Sequence, residues 1–244
     1  FVLDRLAGQI RRALARGNAQ LLVENAADLR WVAGGSDIGP ERAALMPGAG
    51  IDPERFAPVP EPDGPIVVGI AARLIWSKGI DLAVEAVRRL RGEGLDISLR
   101  IAGSADVDNP EHVAPSELAL WGATPGVSLL GRVGDIAGFW AGTHIACLPS
   151  RGGEGLPRTL LEAAACGRAI VTSDAPGCAD FAAGGAGLIV AREDLGALAQ
   201  ALRTLAQDAN LRARLAQTAR ARVLAGYTET HAAACAAVAW ARLS

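Results

Sequence analysis

No apolar run in this chain reaches the roughly 20 residues that cross a bilayer, and no signal-peptide pattern opens it. Nothing in it asks for a membrane span or a secretory route. Neither sign of charge is in excess. Lys and Arg number 24 against 26 Asp and Glu, a net −2, so no global field favours nucleic acid or an anionic membrane surface. The four cysteines (Cys147, Cys166, Cys178, Cys235) form no CxxC pair and have no histidine at ligand spacing. They fit reduced thiols of a cytoplasmic protein, with Cys147 and Cys166 in apolar runs. Internal repeats and low-complexity tracts are also missing. What is present is an apolar majority: 50% of residues are hydrophobic and 20% charged, ample for a buried core.

At 244 residues the chain is long enough for one large domain, or for one domain and a piece of another. It starts at Phe1 in a helical pattern, as expected of a fragment of a longer protein. Leu3, Leu6, Ile10 and Leu14, flanked by Arg11, Arg12 and Arg16, predict an amphipathic helix over 1–16. Packing on a neighbouring domain is its first reading, and lying on a membrane its second. A strand over 19–23, a helix over 25–32 with Asn25 as N-cap and a strand over 42–46 follow. Pro58, Pro60, Pro62 and Pro65 put four prolines in eight residues and read as an inter-domain linker. The expected division is 1–62 for the tail of one domain plus linker, 63–224 for a second domain, and 225–244 for a closing helix.

From Ile66 the pattern alternates. Short, uniformly apolar strands are predicted at 66–71, 97–102, 127–130, 145–148, 169–172 and 187–190. Helices are predicted at 80–91, 116–121, 136–141, 158–166, 195–206, 211–224 and 231–239. That is an α/β, Rossmann-like, doubly wound parallel sheet covered on both faces. Such sheets bind ligands beyond the carboxyl ends of their strands. The expected site therefore lies on the loops 72–79, 103–110, 131–135 and 150–157.

The most informative segment runs from Pro149 to Glu162 (Pro-Ser-Arg-Gly-Gly-Glu-Gly-Leu-Pro-Arg-Thr-Leu-Leu-Glu). It holds two carboxylates, Glu154 in the loop and Glu162 about one turn into a helix. The start of that helix offers unpaired N–H groups and the positive end of a dipole, which suit a phosphate. Pro157 fits its first turn. Two acceptors beside an anion site suggest a ligand with hydroxyls and phosphates, such as a sugar nucleotide. Arg73 and Lys78, on the first βα loop, can grip a diphosphate. No GxGxxG follows that strand, so the loop is not a dinucleotide fingerprint. Arg132 and Val133, after Gly131, sit where backbone can meet a flat base. Asp106-Val-Asp108 is a weak rival signal for a divalent metal on a diphosphate, and a turn is its ordinary reading. Arg151 and Arg158 flank Glu154 and are read as its surface partners or as phosphate ligands. His112, His144 and His231 are scattered, and Trp76, Trp121 and Trp140 read as packing residues.

These pieces resemble the C-terminal, donor-binding domain of GT-B glycosyltransferases of family GT4. The match rests on Arg73…Lys78-Gly79, Ala102-Gly103, Leu130-Gly131, Pro149-Ser150, the pair Glu154 and Glu162 followed by Ala-Ala-Ala-Cys166-Gly167, Asp174, and Gly187-Leu-Ile-Val190. It covers most of 44–224. Glu154-Gly-Leu-Pro-Arg-x-Leu-Leu-Glu162, together with Asp108-Asn-Pro and Pro176-Gly-Cys178, is most similar to enzymes of O-antigen, capsule and polyprenyl-linked glycan assembly. The resemblance implies a retaining transfer of sugar from a nucleotide-sugar, UDP-linked, to a glycan or lipid-linked acceptor. It makes Glu154, Arg73 and Lys78 the catalytic set, with Glu154 on sugar hydroxyls and the two cations on the diphosphate. It makes Gly103, Arg132, Val133, Gly155, Leu156, Pro157, Arg158, Thr159 and Glu162 further donor contacts, Glu162 on the ribose. It implies no cofactor and no metal, the donor being substrate. It implies a cytoplasmic enzyme, peripheral at the inner leaflet. The acceptor half is expected outside this chain, so the chain alone should catalyse little. A non-catalytic nucleotide-sugar module, a UDP-sugar 2-epimerase-like enzyme and a glycogen-phosphorylase-like enzyme stand as alternatives.

Overall fold

A computed structural model describes residues 2–17, 19–33 and 42–243. Phe1, where the first helix is expected to begin, and the Leu3 side chain lie outside that description. The amino-terminal layer consists of helix α1 (Val2–Ala15), strand β1 (Leu21–Val23), helix α2 (Ala26–Ala33) and strand β2 (Ala43–Leu45). The two strands pair in parallel as a small sheet of their own. The Asn25 side chain caps α2 as predicted, its Oδ1 accepting from Asp28 N–H at 2.8 Å. α1 docks on α2, where Arg11 Nε donates to Val32 O at 2.8 Å.

The main sheet follows: β3 (Ile66–Ala71), β4 (Ile97–Ala102), β5 (Val127–Gly131), β6 (Ile145–Leu148), β7 (Ala169–Ser173) and β8 (Leu188–Val190). The helices are α3 (Ile80–Gly92), α4 (Pro115–Ala123), α5 (Ile136–Ala141), α6 (Arg158–Ala165), α7 (Pro176–Ala182), α8 (Leu195–Gln207), α9 (Ala209–Gly226) and α10 (Glu229–Ala241). The spatial order is β5-β4-β3-β6-β7-β8, with every pair parallel. The α/β doubly wound reading holds. Two elements went unnamed in the sequence reading: the 3-10 turn Trp76–Lys78 and α7.

The strict period of two in these strands builds two cores. Val68, Ile70, Leu99, Ile145, Cys147 and Val171 face α3 and α8. Ala146, Leu148 and Ile170, the intervening positions, face α5, α6 and α9. α3 buries Ile80, Ala83, Val84, Val87 and Leu90 along one stripe. Each large side chain there is worth roughly 1.5–3 kcal/mol. Asp135, Asp194 and Asp208 cap α5, α8 and α9 by accepting from the N–H three residues on. Cys147, Cys166 and Cys178 are buried free thiols. Burial pushes the thiols of Cys147 and Cys178 up to about 12 and that of Cys166 to about 11.

The amino ends of the strands are braced by charge. Arg168 is fully buried and donates to the carbonyls of Cys166, Thr143, Val59 and Pro60. Arg212 clasps Glu61 through Nε and Nη2. The proline-rich stretch is thereby held against the domain. His144 is buried, and its Nδ1 accepts from Val67 N–H at 3.1 Å, a structural role. Burial holds its pKa below the usual imidazole value. α10 returns to the amino-terminal layer, where Glu229 N–H donates to Ile51 O at 3.0 Å and Cys235 lies against Leu45.

Candidate functional site

The strand order reverses between β3 and β6, and in doubly wound sheets a crevice opens at that reversal. The loop after β3 carries Arg73 and Lys78, and the loop after β6 carries Ser150 and Glu154. The two loops touch. Gly79 takes a left-handed φ of +65°, and a Cβ there would meet Pro149 O at 2.1 Å, so only glycine admits this approach. Across the contact, Lys78 Nζ donates to Glu154 Oε1 at 2.6 Å, and Ser150 Oγ donates to the same oxygen at 2.5 Å. Both charges are largely buried, with side chains 14% and 7% exposed. One donor of the ammonium is used, and Oε2 of Glu154 accepts from no described residue. The pair retains capacity on both partners. Lys78 is the one lysine in the sequence, a signal the sequence reading did not use.

At the same carboxyl edge of the sheet lies a cleft of about 330 Å³. Arg73, Gly103, Arg132, Val133 and Glu162 line it. The loops that bring them together follow β3, β4 and β5, and Glu162 reaches in from the second turn of α6. Gly103 again permits a close approach, since a Cβ would meet Ala72 O at 1.8 Å. Arg73 ion-pairs with Asp106 at 2.8 Å, its side chain 61% exposed. Asp106 is thus engaged by a cation, and the described residues gather no cluster of three ligating side chains. Burial pushes the Glu162 carboxyl above its usual range, and the Arg158 guanidinium at 3.1 Å opposes that shift. Arg132 meets no charged or hydrogen-bonding group among the described residues.

Several sequence readings are revised here. Arg151 does not pair with Glu154. It forks onto Asp81 at 2.7 and 2.8 Å and reaches Glu193 and Trp76 O. Arg158 pairs with Glu162, one helical turn on, rather than with Glu154. Pro157 is the N-cap residue, and the helix begins at Arg158. Gly155 and Leu156 face a different neighbour. Leu156 N–H donates to Glu24 Oε2 at 3.1 Å, and Asn25 Nδ2 donates to the carbonyls of Glu154 and Gly155 at 3.3 Å. The Leu156 side chain lines a separate cavity with Met46 and Tyr227. Glu24 and Asn25 were not read as site neighbours, because nothing local in the sequence joins them to a loop 130 residues away. The Thr159 hydroxyl, in the first turn of α6, is buried without a partner among the described residues.

Comparison with known proteins agrees with this fold. The family model described as glycosyl transferases group 1 matches residues 65–208. A capsular polysaccharide biosynthesis glycosyltransferase of Staphylococcus aureus is 26% identical over 158 residues, 64% of this chain and 41% of that protein. An N,N'-diacetylbacillosaminyl-diphospho-undecaprenol alpha-1,3-N-acetylgalactosaminyltransferase of Campylobacter jejuni is 35% identical over 156 residues, 64% of this chain and 39% of that protein. The chain thus spans about two fifths of the length of these relatives. Among solved structures, Anabaena Alr3699/HepE in complex with UDP-glucose superposes with a TM-score of 0.77 at 20% identity, over 94% of this chain and 66% of that one. At that identity the superposition speaks for the fold alone.

Proposed function

This chain belongs to the group 1 glycosyl transferases, and from that premise we propose that it is the donor-binding half of a retaining GT4-type enzyme that uses a UDP-linked sugar. The observation that carries the reading is the meeting of Lys78 and Glu154 at the switch point, on the sheet edge that also holds a cleft lined by Arg73 and Glu162. In this reading the base lies against Gly103, Arg132 and Val133. The ribose hydroxyls donate to Glu162. The diphosphate lies between Lys78, Arg73 and the start of α6, with Thr159 nearby. Glu154 accepts from hydroxyls of the donor sugar.

Glycosyl transfer builds negative charge on the departing diphosphate. Fixed cations and helix N–H groups aimed at that charge lower the barrier, and one such donor is worth roughly 10²–10³ in rate. The reading requires neither metal nor cofactor. The relatives named for capsule and diphospho-undecaprenol-linked synthesis support a glycan or polyprenyl-diphosphate acceptor, and with it work in the cytoplasm at the inner leaflet. Transfer by these residues alone should be slow, because among the described residues the amino-terminal layer offers an acceptor no more than the two-stranded sheet β1-β2 with α1 and α2.

Calorimetric titration with UDP, UDP-sugars, GDP and GDP-sugars tests the reading. Binding of UDP and of at least one UDP-sugar, tighter than the GDP series, is expected. A chain that takes up no nucleotide would refute it.

A further inference from the structure

A second cleft, of about 350 Å³, opens on the same rim between the Trp76 turn and the loop that leads to Glu154. Trp76, Ser77, Glu111, Arg151, Gly152 and Gly153 line it. No step of the donor reading uses it. Its walls are fixed. Trp76 N–H donates to Glu111 O at 2.9 Å, and Trp76 O accepts from Arg151 Nη1 at 2.6 Å. Ser77 O accepts from Arg151 N–H at 2.8 Å. The indole packs edge-on against Trp121, with centroids 6.0 Å apart, yet Trp76 stays 37% exposed.

The open wall is glycine. A Cβ at Gly152 or Gly153 would meet nothing within 4 Å, and Gly152 has no left-handed φ. Packing therefore does not require Gly152 to lack a side chain, and its absence leaves space at the cleft. The chemistry of the lining narrows the occupant. Arg151 spends its Nε and both Nη groups on Asp81, Glu193 and Trp76 O. It is a strut, and no free cation remains for an anion. Among the described residues, the side-chain polar groups of the lining left without a partner are the Trp76 indole N–H, the Ser77 hydroxyl and the Glu111 carboxylate. An anchored aromatic surface beside a hydroxyl and an anionic acceptor fits a neutral, hydroxyl-rich ring and repels phosphate.

We propose that this cleft is a saccharide subsite, holding a neutral sugar of the acceptor next to Glu154. Its acceptor role rests on the donor reading above; its binding of sugar does not.

The test titrates the isotope-labelled chain with chitobiose, maltose and lactose, with and without UDP, by NMR. At least one disaccharide should shift the Trp76 indole and the Gly152 and Gly153 amides at millimolar concentration, without competing with UDP. Gly152→Leu should weaken that disaccharide at least tenfold and leave UDP affinity within twofold. Trp76→Ala should do the same. If UDP binds and none of the disaccharides moves these resonances, the subsite is wrong and the donor site stands. If a disaccharide binds there and UDP does not bind at all, the subsite stands and the donor reading falls. A disaccharide that displaces UDP, or that binds the Gly152→Leu chain as well as the parent chain, overturns the proposal.

Discussion

At the amino ends of the strands, Arg168 is fully buried, and its donors go to four backbone carbonyls. Arg212 is 6% exposed and held at all three guanidinium nitrogens by Glu61 and two carbonyls. At the carboxyl ends, Arg73 and Arg158 keep side chains 61% and 49% exposed, with one carboxylate partner each. Even the buried Lys78 makes one hydrogen bond where an ammonium can make three. The same residue types serve opposite purposes. Cations that brace the fold have every guanidinium nitrogen bonded to protein, because an unmet polar group in the interior is costly. Cations that await a ligand hold donors in reserve.

That division can be broken by three variants. The largest effect is expected at Arg168. Arg168→Ala strips partners from four carbonyls and should cost about 3–5 kcal/mol, roughly a 10 °C fall in thermal midpoint for a chain of this size. UDP affinity of the folded fraction should stay within twofold; a parallel loss of binding would blur the two ends. Next comes Lys78. Removing it alone would strand the buried Glu154 carboxylate, so we pair Lys78→Met with Glu154→Gln. A charge-assisted contact is worth about 1.5–3 kcal/mol, so calorimetry should show UDP weakened about tenfold to 100-fold with little change in midpoint. Unchanged binding would remove Lys78 from the site.

The smallest effect concerns Glu162. Its folded pKa is raised by burial, so the folded chain holds this proton to higher pH than the unfolded chain does. The stability it lends is present below the ordinary carboxylate pKa, 4.5, and is lost as pH rises through the raised value. Denaturant titrations should therefore show Glu162→Gln gaining on the parent chain as pH rises through that window. Uridine binding should run the other way in the parent chain, strengthening as the carboxylate forms. In the variant it should be about tenfold weaker and flat with pH. A parent chain with no pH dependence in either measurement would place Glu162 outside the cleft.

How legible this was depended on sequence distance. Strands with one residue in two facing each core, and helices such as α3 with an apolar stripe, announce themselves locally, and their predicted limits lie within about two residues of those observed. Glu162 was readable as a residue one turn into a helix at a strand end, since that is local pattern as well. Partner choice was not. Lys78 and Glu154 are 76 positions apart, and only the switch point joins them. The neighbourhood in sequence pointed to Arg151 and Arg158 as partners of Glu154, but strand and helix geometry turn those two toward Asp81 and Glu162. Arg168 lies between Gly167 and β7, with nothing in the adjoining residues to mark it as buried. Its burial follows from the return of the 58–62 segment over the strand ends, which no local pattern shows.

Co-crystallisation with UDP tests the central claim most directly. The account predicts uracil against Gly103, Arg132 and Val133, ribose hydroxyls on Glu162, and the diphosphate reaching toward Lys78. Nucleotide lodged in the cavity beside Leu156 and Tyr227, or a switch-point crevice left empty at saturating UDP, would contradict it.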